Sequence, residues 1–215
     1  MTINLAETMC EKEGKTILAI DDDPTILTAI RKILETSYDV YLAKSADMAW
    51  DILNTTGIDM ILLDVEMPGM SGLAFMEHLK ENSASYYYYI PVIFVTSHGT
   101  SDVITKAITS GAKDFIVKPF SAAVLLEKVA VLFKRSGQNP VRFELLRKLH
   151  FLDVACKGGK GIQVEQLVEE LSHFRYNIGT DTQINDIRTY ARKSEFAAIS
   201  EKINVLIKNN LFDKK

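Results

Sequence analysis

Three carboxylates and a lysine, each at the tip of a short apolar run, are the residues of this chain best suited to chemistry. Asp21 and Asp22 follow Thr16-Ile17-Leu18-Ala19-Ile20, Asp64 follows Met60-Ile61-Leu62-Leu63, and Lys118 follows Asp114-Phe115-Ile116-Val117. If those runs are strands of an open parallel sheet, their carboxyl ends converge on one crevice. Carboxylates crowded there repel and raise one another's pKa unless a cation joins them. A hard divalent ion such as Mg²⁺ is the natural partner, held by one or two carboxylates together with phosphate oxygens. Mn²⁺ suits the same ligands. Alone, Asp21-Asp22-Asp23 reads equally well as a solvated turn ahead of a helix. Asp64 and Lys118 in register shift the reading to phosphoryl chemistry.

The elements that must position these groups alternate from Lys15 to Arg135. Runs rich in β-branched residues predict strands at 16–20, 38–42, 58–63, 91–96 and 114–117. Helical spacing predicts helices at 24–36, 45–56, 71–83, 101–110 and 121–134. Asp23-Pro24 supplies an N-cap with Pro at the first helical position, and Ser45, Ser71 and Ser121 are further N-caps. Five strands, each followed by a helix, predict a doubly wound parallel sheet covered on both faces, for which the flavodoxin-like order 2-1-3-4-5 is one of the common arrangements and the one expected here.

Beyond a polar linker at 136–140 no strand-like run occurs. Helical periodicity continues at about 141–156, 162–176, 182–192 and 195–210, interrupted by Gly158-Gly159-Lys160-Gly161 and Asn177-Ile178-Gly179-Thr180. Apolar stripes such as Leu145, Leu149 and Leu152 predict a small antiparallel bundle. The expected organisation is therefore an α/β domain at 15–135 and an all-α domain at 141–215.

Charge separates the two halves. Residues 1–138 carry 12 Lys+Arg against 18 Asp+Glu, and residues 139–215 carry 13 against 10. The net charge of −3 argues against nonspecific nucleic-acid binding by the whole chain. Cys10 and Cys156 lack metal-ligand spacing and read as free thiols of a reducing cytoplasm. The acidic start without an apolar stretch is unlike a signal peptide, and no apolar run is long enough to span a bilayer. A cytoplasmic protein without a membrane partner is expected.

Four motifs in order carry a family resemblance: Ile17-Leu18-Ala19-Ile20-Asp21-Asp22-Asp23-Pro24, then Leu62-Leu63-Asp64-Val65-Glu66-Met67-Pro68-Gly69-Met70-Ser71-Gly72, then Val95-Thr96-Ser97, then Gly111 to Phe120. Over 15–135 the chain resembles the receiver domains of two-component response regulators. That resemblance implies Asp64 as phosphoryl acceptor, with Asp21, Asp22, Asp64 and the Glu66 backbone carbonyl around Mg²⁺. Lys118 contacts a phosphoryl oxygen, Thr96 moves onto the phosphoryl group, and Phe115 is the aromatic switch. Glu66 and His98 flank the path of the hydrolytic water and are expected to tune the decay rate. Lys118-Pro119 is expected in cis. The implied donor is a sensor histidine kinase or phosphotransfer protein. The only enzymic activity implied is self-phosphorylation and slow autodephosphorylation.

Three readings of the tail remain open. It is an interaction or dimerisation module, a DNA-binding unit, or a degenerate phosphotransfer or output enzyme. The first is preferred, because no catalytic motif appears and the helix after Thr180 offers only Arg188, Arg192 and Lys193 to phosphates, with Asp186 among them. Dimerisation is expected through the face made by helix 101–110, strand 114–117 and helix 121–134, or through the C-terminal helices. His150 and His173 read as ordinary packed or surface histidines. The run Tyr86 to Tyr89 reads as a half-exposed loop leading into the fourth strand, with partner docking as its functional alternative.

Overall fold

The computed structural model describes residues 14–81, 86–97, 100–136, 140–172 and 178–212. Cys10, His98 and His173 lie outside the described residues. The chain divides into two compact units, Met1–Glu81 with Ile90–Gln138 and Asn82–Tyr89 with Asn139–Lys215.

In the first unit strands and helices alternate: β1 (Thr16–Ile20), α1 (Pro24–Leu34), β2 (Asp39–Ala43), α2 (Ala46–Thr55), β3 (Met60–Asp64), α3 (Gly72–Lys80), β4 (Val92–Thr96), α4 (Ser101–Thr109), β5 (Asp114–Val117) and α5 (Ala122–Ser136). The sheet is parallel throughout with order β2-β1-β3-β4-β5, as the sequence predicts. Successive residues of a strand face opposite sides, and both sides are covered. Ile17, Ala19, Met60, Leu62, Ile93 and Val95 pack with Leu27, Ile30 and Leu34 of α1 and Leu125 and Val129 of α5. The alternating Leu18, Ile20, Ile61, Leu63 and Phe94 are equally buried.

Helix starts follow local chemistry. The Asp23 side chain accepts from Thr25 N with Pro24 in the first turn, Ser45 accepts from Met48 N, Ser71 from Ala74 N and Ser121 from Val124 N. Boundaries move where tertiary bonds decide. β3 begins at Met60, because the Asp59 carboxylate turns back to accept from Thr16 N and pair with Lys15. At its other end β3 includes Asp64, which pairs with Val95 rather than lying first beyond the strand.

The second unit contains α6 (Pro140–Lys157), α7 (Gly161–Ser172), α8 (Ile178–Arg192) and α9 (Phe196–Phe212). Each packs on the next, and α6 closes on α9, so the four make a closed ring. Its core is apolar: Leu145, Leu149, Leu152, Val164, Val168, Leu171, Ile184, Ile187, Ile199, Ile203 and Leu206. Ion pairs Arg188–Glu169 (2.8 Å) and Lys202–Asp186 (2.8 Å) tie neighbouring helices.

The tyrosine run departs from expectation. Tyr86–Tyr89 is a 3-10 helix belonging to this second unit, where it packs on α6. Tyr86 is only 1% exposed. A large aromatic side chain gains more by sharing the rings of Phe143, His150 and Phe151 than by lying in a loop.

Candidate functional site

The sheet order decides where the site lies. The chain winds from β1 outward to β2, then returns past β1 to build β3, β4 and β5. The crevice opens between the ends of β1 and β3, where connections leave in opposite directions. Asp21 follows β1, Asp64 ends β3, and Thr96 ends β4; they are 1%, 6% and 2% exposed. Asp22 is exposed beside them.

The carboxylates of Asp21, Asp22 and Asp64 each offer an oxygen within 4.8 Å of the others. Lys118 Nζ reaches in from the end of β5, 2.6 Å from Asp21 Oδ2 and 3.1 Å from Asp64 Oδ2. Burial raises the Asp64 pKa, and the hydrogen bond from Lys118 only partly opposes this. Burial alone would depress the Lys118 ammonium, but bonds to Asp21 and Asp64 override it and its pKa rises. One ammonium against three carboxylates leaves an excess of negative charge, which suits a hard divalent cation. These three carboxylates are the donor set able to hold one.

Backbone bonds fix the groups. Asp23 N donates to Asp21 Oδ1 (3.0 Å) and Asp21 N to Ala43 O (3.1 Å). Lys118 N donates to Thr96 O (2.8 Å), joining the ends of β4 and β5. The Lys118–Pro119 bond is cis. After Asp64 the chain turns through Gly69, at φ +79°, and returns so closely that a Cβ on Gly72 would lie 1.8 Å from Asp64 O. The spacing from Asp64 to Gly72 is thus a steric requirement of the turn.

A cavity of about 430 Å³ stands over these groups, lined by Asp21, Asp22, Asp23, Ile26, Asp64, Glu66, Ser97, Lys118 and Pro119. The predicted residues Asp21, Asp22, Asp64, Glu66 and Lys118 meet there. Thr96 is buried at the strand end, and Ser97 forms the wall at that point. Phe115 is half-buried on β5, away from the lining, with Lys128 Nζ 5.6 Å from its ring centroid. Asp23, Ile26 and Pro119 are lining residues not singled out from the sequence as part of the site. Asp23 was legible as a cap, and its carboxylate pKa is lowered by the Thr25 backbone hydrogen bond.

A doubly wound sheet with this acidic crevice and lysine defines a class, the aspartate-bearing receiver fold. Residues 17–130 match the family model of the response regulator receiver domain, and the chain belongs to that family. The Phosphate regulon transcriptional regulatory protein PhoB of Pseudomonas aeruginosa is 34% identical over 125 residues, 58% of this chain and 54% of that protein. The CAI-1 autoinducer sensor kinase/phosphatase CqsS of Vibrio cholerae is 34% identical over 131 residues, 60% of this chain and 19% of that protein. Among solved structures, the chemotaxis protein CheY4 of V. cholerae matches at TM-score 0.51 and 26% identity, covering 55% of this chain and 98% of that one. A CheY-like receiver from Methanospirillum hungatei matches at TM-score 0.53 and 26% identity, covering 59% and 98%. The alignments with the first curated relatives span 19% to 60% of their lengths. Among the described residues no helix is long and apolar enough to cross a membrane.

Proposed function

We propose that this chain is a phosphorylation-controlled response regulator whose acceptor is Asp64 and whose output is made by the helical unit through protein–protein contact or dimerisation. The observation that carries the reading is the meeting of Asp21, Asp22 and Asp64 within 4.8 Å under a single bridging lysine. Asp21, Asp22 and Asp64, with the Glu66 backbone carbonyl, would hold Mg²⁺. When bound, the ion supplies charge neutralisation at the phosphoryl oxygens.

The chain's own residues account for the rest of the transfer. A carboxylate oxygen of Asp64 attacks phosphorus without a general base. The P–N bond to a donor imidazole breaks, and the imidazole leaves with the electron pair. Lys118 shifts from its carboxylate partners to a phosphoryl oxygen, and Thr96 closes onto another. Phe115 follows Thr96 and remodels the face of α4, β5 and α5, a local charge change biasing a two-state element. Ile108, Val117, Val124 and Val131 expose apolar surface on those elements, which supports dimerisation there. Glu66 at the cavity rim, together with His98, sets the rate of hydrolysis. A sensor histidine kinase or phosphotransfer protein is the donor, and the setting is the cytoplasm.

A second reading, DNA binding by the helical unit, draws on relatives named as transcriptional regulators. Weighing against it, Arg188 is engaged by Glu169, whereas a DNA reader concentrates positive charge on one face.

The test is incubation of the full chain with Mg²⁺ and a small phosphodonor, read by intact mass, with sedimentation in beryllofluoride with and without duplex DNA. Mass gain that disappears in Asp64→Asn and without Mg²⁺, with a change of assembly lacking DNA binding, is expected. Uptake persisting in Asp64→Asn refutes the acceptor. Salt-sensitive DNA binding strengthened by beryllofluoride would favour the second reading.

A further inference from the structure

The cavity over Asp64 has a floor and a mouth of different character. Asp21, Asp64 and Lys118 make the floor, the two aspartates 1% and 6% exposed and the lysine side chain 10%. Asp22, Asp23, Glu66, Ser97 and Pro119 line the same cavity but are exposed, so they form its mouth. Three of those five residues carry carboxylates. Among the described lining residues Lys118 is the sole cation, and both of its ion pairs are to floor carboxylates. Asp22 belongs to the trio able to hold a divalent ion. Asp23 stands outside that trio, so its charge stays at the mouth.

Asp23 is also held in place. As the N-cap of α1 it accepts from Thr25 N at 2.7 Å, with Pro24 next in the chain to stiffen the turn. The capping bond uses one acceptor site of the carboxylate and leaves its charge intact. In phosphoryl transfer the attacking and leaving atoms lie roughly in line through phosphorus. With Asp64 attacking from the floor, the leaving group departs toward the mouth, and any charge on it meets Asp23. In each case an Asp64 Oδ–P bond forms. When the bond broken is the P–N bond of a protonated imidazole or amine donor, its electron pair goes to nitrogen and a neutral base leaves. When it is the P–O bond of an acyl phosphate, the pair stays on oxygen and a carboxylate anion leaves. The transition state is loose, so most of that anionic charge is already present in it.

We propose that Asp23 is a specificity-determining residue, which selects P–N phosphodonors over acyl phosphates by opposing negative charge on the leaving group. A carboxylate departing past Asp23 is destabilised by a like charge, whereas a neutral imidazole or amine is not. The selection favours a phosphoryl group carried on histidine over small acyl phosphates, and so ties the acceptor to a protein donor. The proposal rests on reading Asp64 as the acceptor, and its test separates the two.

Uptake by the full chain in Mg²⁺ is timed by intact mass with phosphoramidate and with acetyl phosphate, in the parent, Asp23→Asn and Asp23→Ser. Asparagine and serine both cap helices well, so the start of α1 is kept. The phosphoramidate-to-acetyl phosphate rate ratio should be about fivefold lower in both variants, as for one like charge removed from a partly screened site. Raising the ionic strength from about 0.05 M to about 0.5 M should lower the parent's ratio more than the variants'. Uptake with the same ratio in all three proteins overturns the proposal alone. Beryllofluoride mimics the phosphoryl group without a leaving group, so its affinity, read from the Thr96 amide by NMR, should change by less than about twofold. A change as large as that in the ratio overturns the proposal, because Asp23 would then act on the phosphoryl group or the metal. No uptake by the parent from either donor overturns the acceptor reading, and the selection with it.

Discussion

The two units treat buried polarity in opposite ways. Among the described residues the buried polar and charged side chains are Asp21, Asp59, Asp64 and Thr96, all in the sheet unit. The core of the bundle buries hydrocarbon and the Cys156 thiol, whose pKa burial raises to about 11, and several of its charges pair across helix surfaces. Burial alone does not separate structure from function. Asp59 is as enclosed as Asp64, but its oxygens meet Thr16 N and Lys15 and the group is satisfied. Asp21 and Asp64 must share one lysine, with Asp22 adding a third charge. Excess charge left after local pairing distinguishes the site, because a buried carboxylate without a full partner is retained only against its desolvation cost.

The largest test of this contrast is Asp64→Asn, which should abolish phosphoryl uptake and also stabilise the metal-free protein. Burial holds the folded-state pKa of Asp64 above its unfolded value. The unfolded chain therefore releases this proton first as pH rises, and stability falls between the two pKa values. At neutral pH, above the unfolded-chain value, the raised pKa is a net cost, and the amide removes it. A thermal midpoint higher by about 2 °C in Mg²⁺-free buffer is expected. A lower midpoint would mean that Lys118 more than offsets burial. Gly72→Ala attacks the same site through its backbone. A methyl placed 1.8 Å from Asp64 O cannot be accommodated by side-chain motion and should cost about 3 kcal/mol, at the upper end of overpacking penalties. Denaturant unfolding measures it. A cost below about 1 kcal/mol would show that the turn after Asp64 yields.

In the bundle the equivalent sensitivity lies in packing. Leu149 is 0% exposed in the apolar core, so Leu149→Ala should cost about 3 kcal/mol while phosphoryl uptake by Asp64 persists. The His150 ring, 2.9 Å from Tyr87 Oη through Nε2, should respond to pH instead. Burial lowers His150 from 6.5 to about 4. The unfolded chain binds the proton first, so this stability is complete above pH 6.5 and is lost as pH falls toward 4. The loss should reach about 2 kcal/mol by pH 5. Melting the parent and His150→Gln between pH 7 and 5 checks this, because the variant should lose that part of the slope. Parallel profiles would mean that His150 is hydrated in solution.

The sheet unit was more legible than the bundle for a physical reason. Its strands are short apolar runs punctuated by Asp, Gly and Ser, and each functional group falls at a strand end, where one-dimensional order determines three-dimensional place. Asp64 and Lys118 are 54 residues apart in the chain yet meet because parallel strands bring the same ends together. The helical stripes beginning at Leu145 revealed a bundle, and α6 to α9 follow them within a few residues. The tyrosine run did not reveal its place. A polar-tipped aromatic reads as loop or core according to what faces it, and its neighbours on α6 lie more than fifty residues downstream. Nor did the sequence show that Arg188 is engaged, since its partner Glu169 is on another helix.

Arg188 gives the smallest and most discriminating prediction. Its side chain is 35% exposed and that of Glu169 is 58% exposed, so the pair sits in high dielectric and repays little of the entropy of holding two long side chains. Arg188→Ala should change stability by less than about 0.5 kcal/mol, within the range of exposed pairs. A loss above about 1 kcal/mol would mean that the pair clamps α7 to α8 and that the bundle depends on charge after all. The same variant separates the two output readings. A DNA-reading bundle that spends Arg188 on a phosphate should lose affinity uniformly across sequences, with a salt slope shallower by about 1. A bundle that signals through protein contact should show no specific DNA affinity to lose, and Arg188→Ala should leave its beryllofluoride-dependent assembly unchanged.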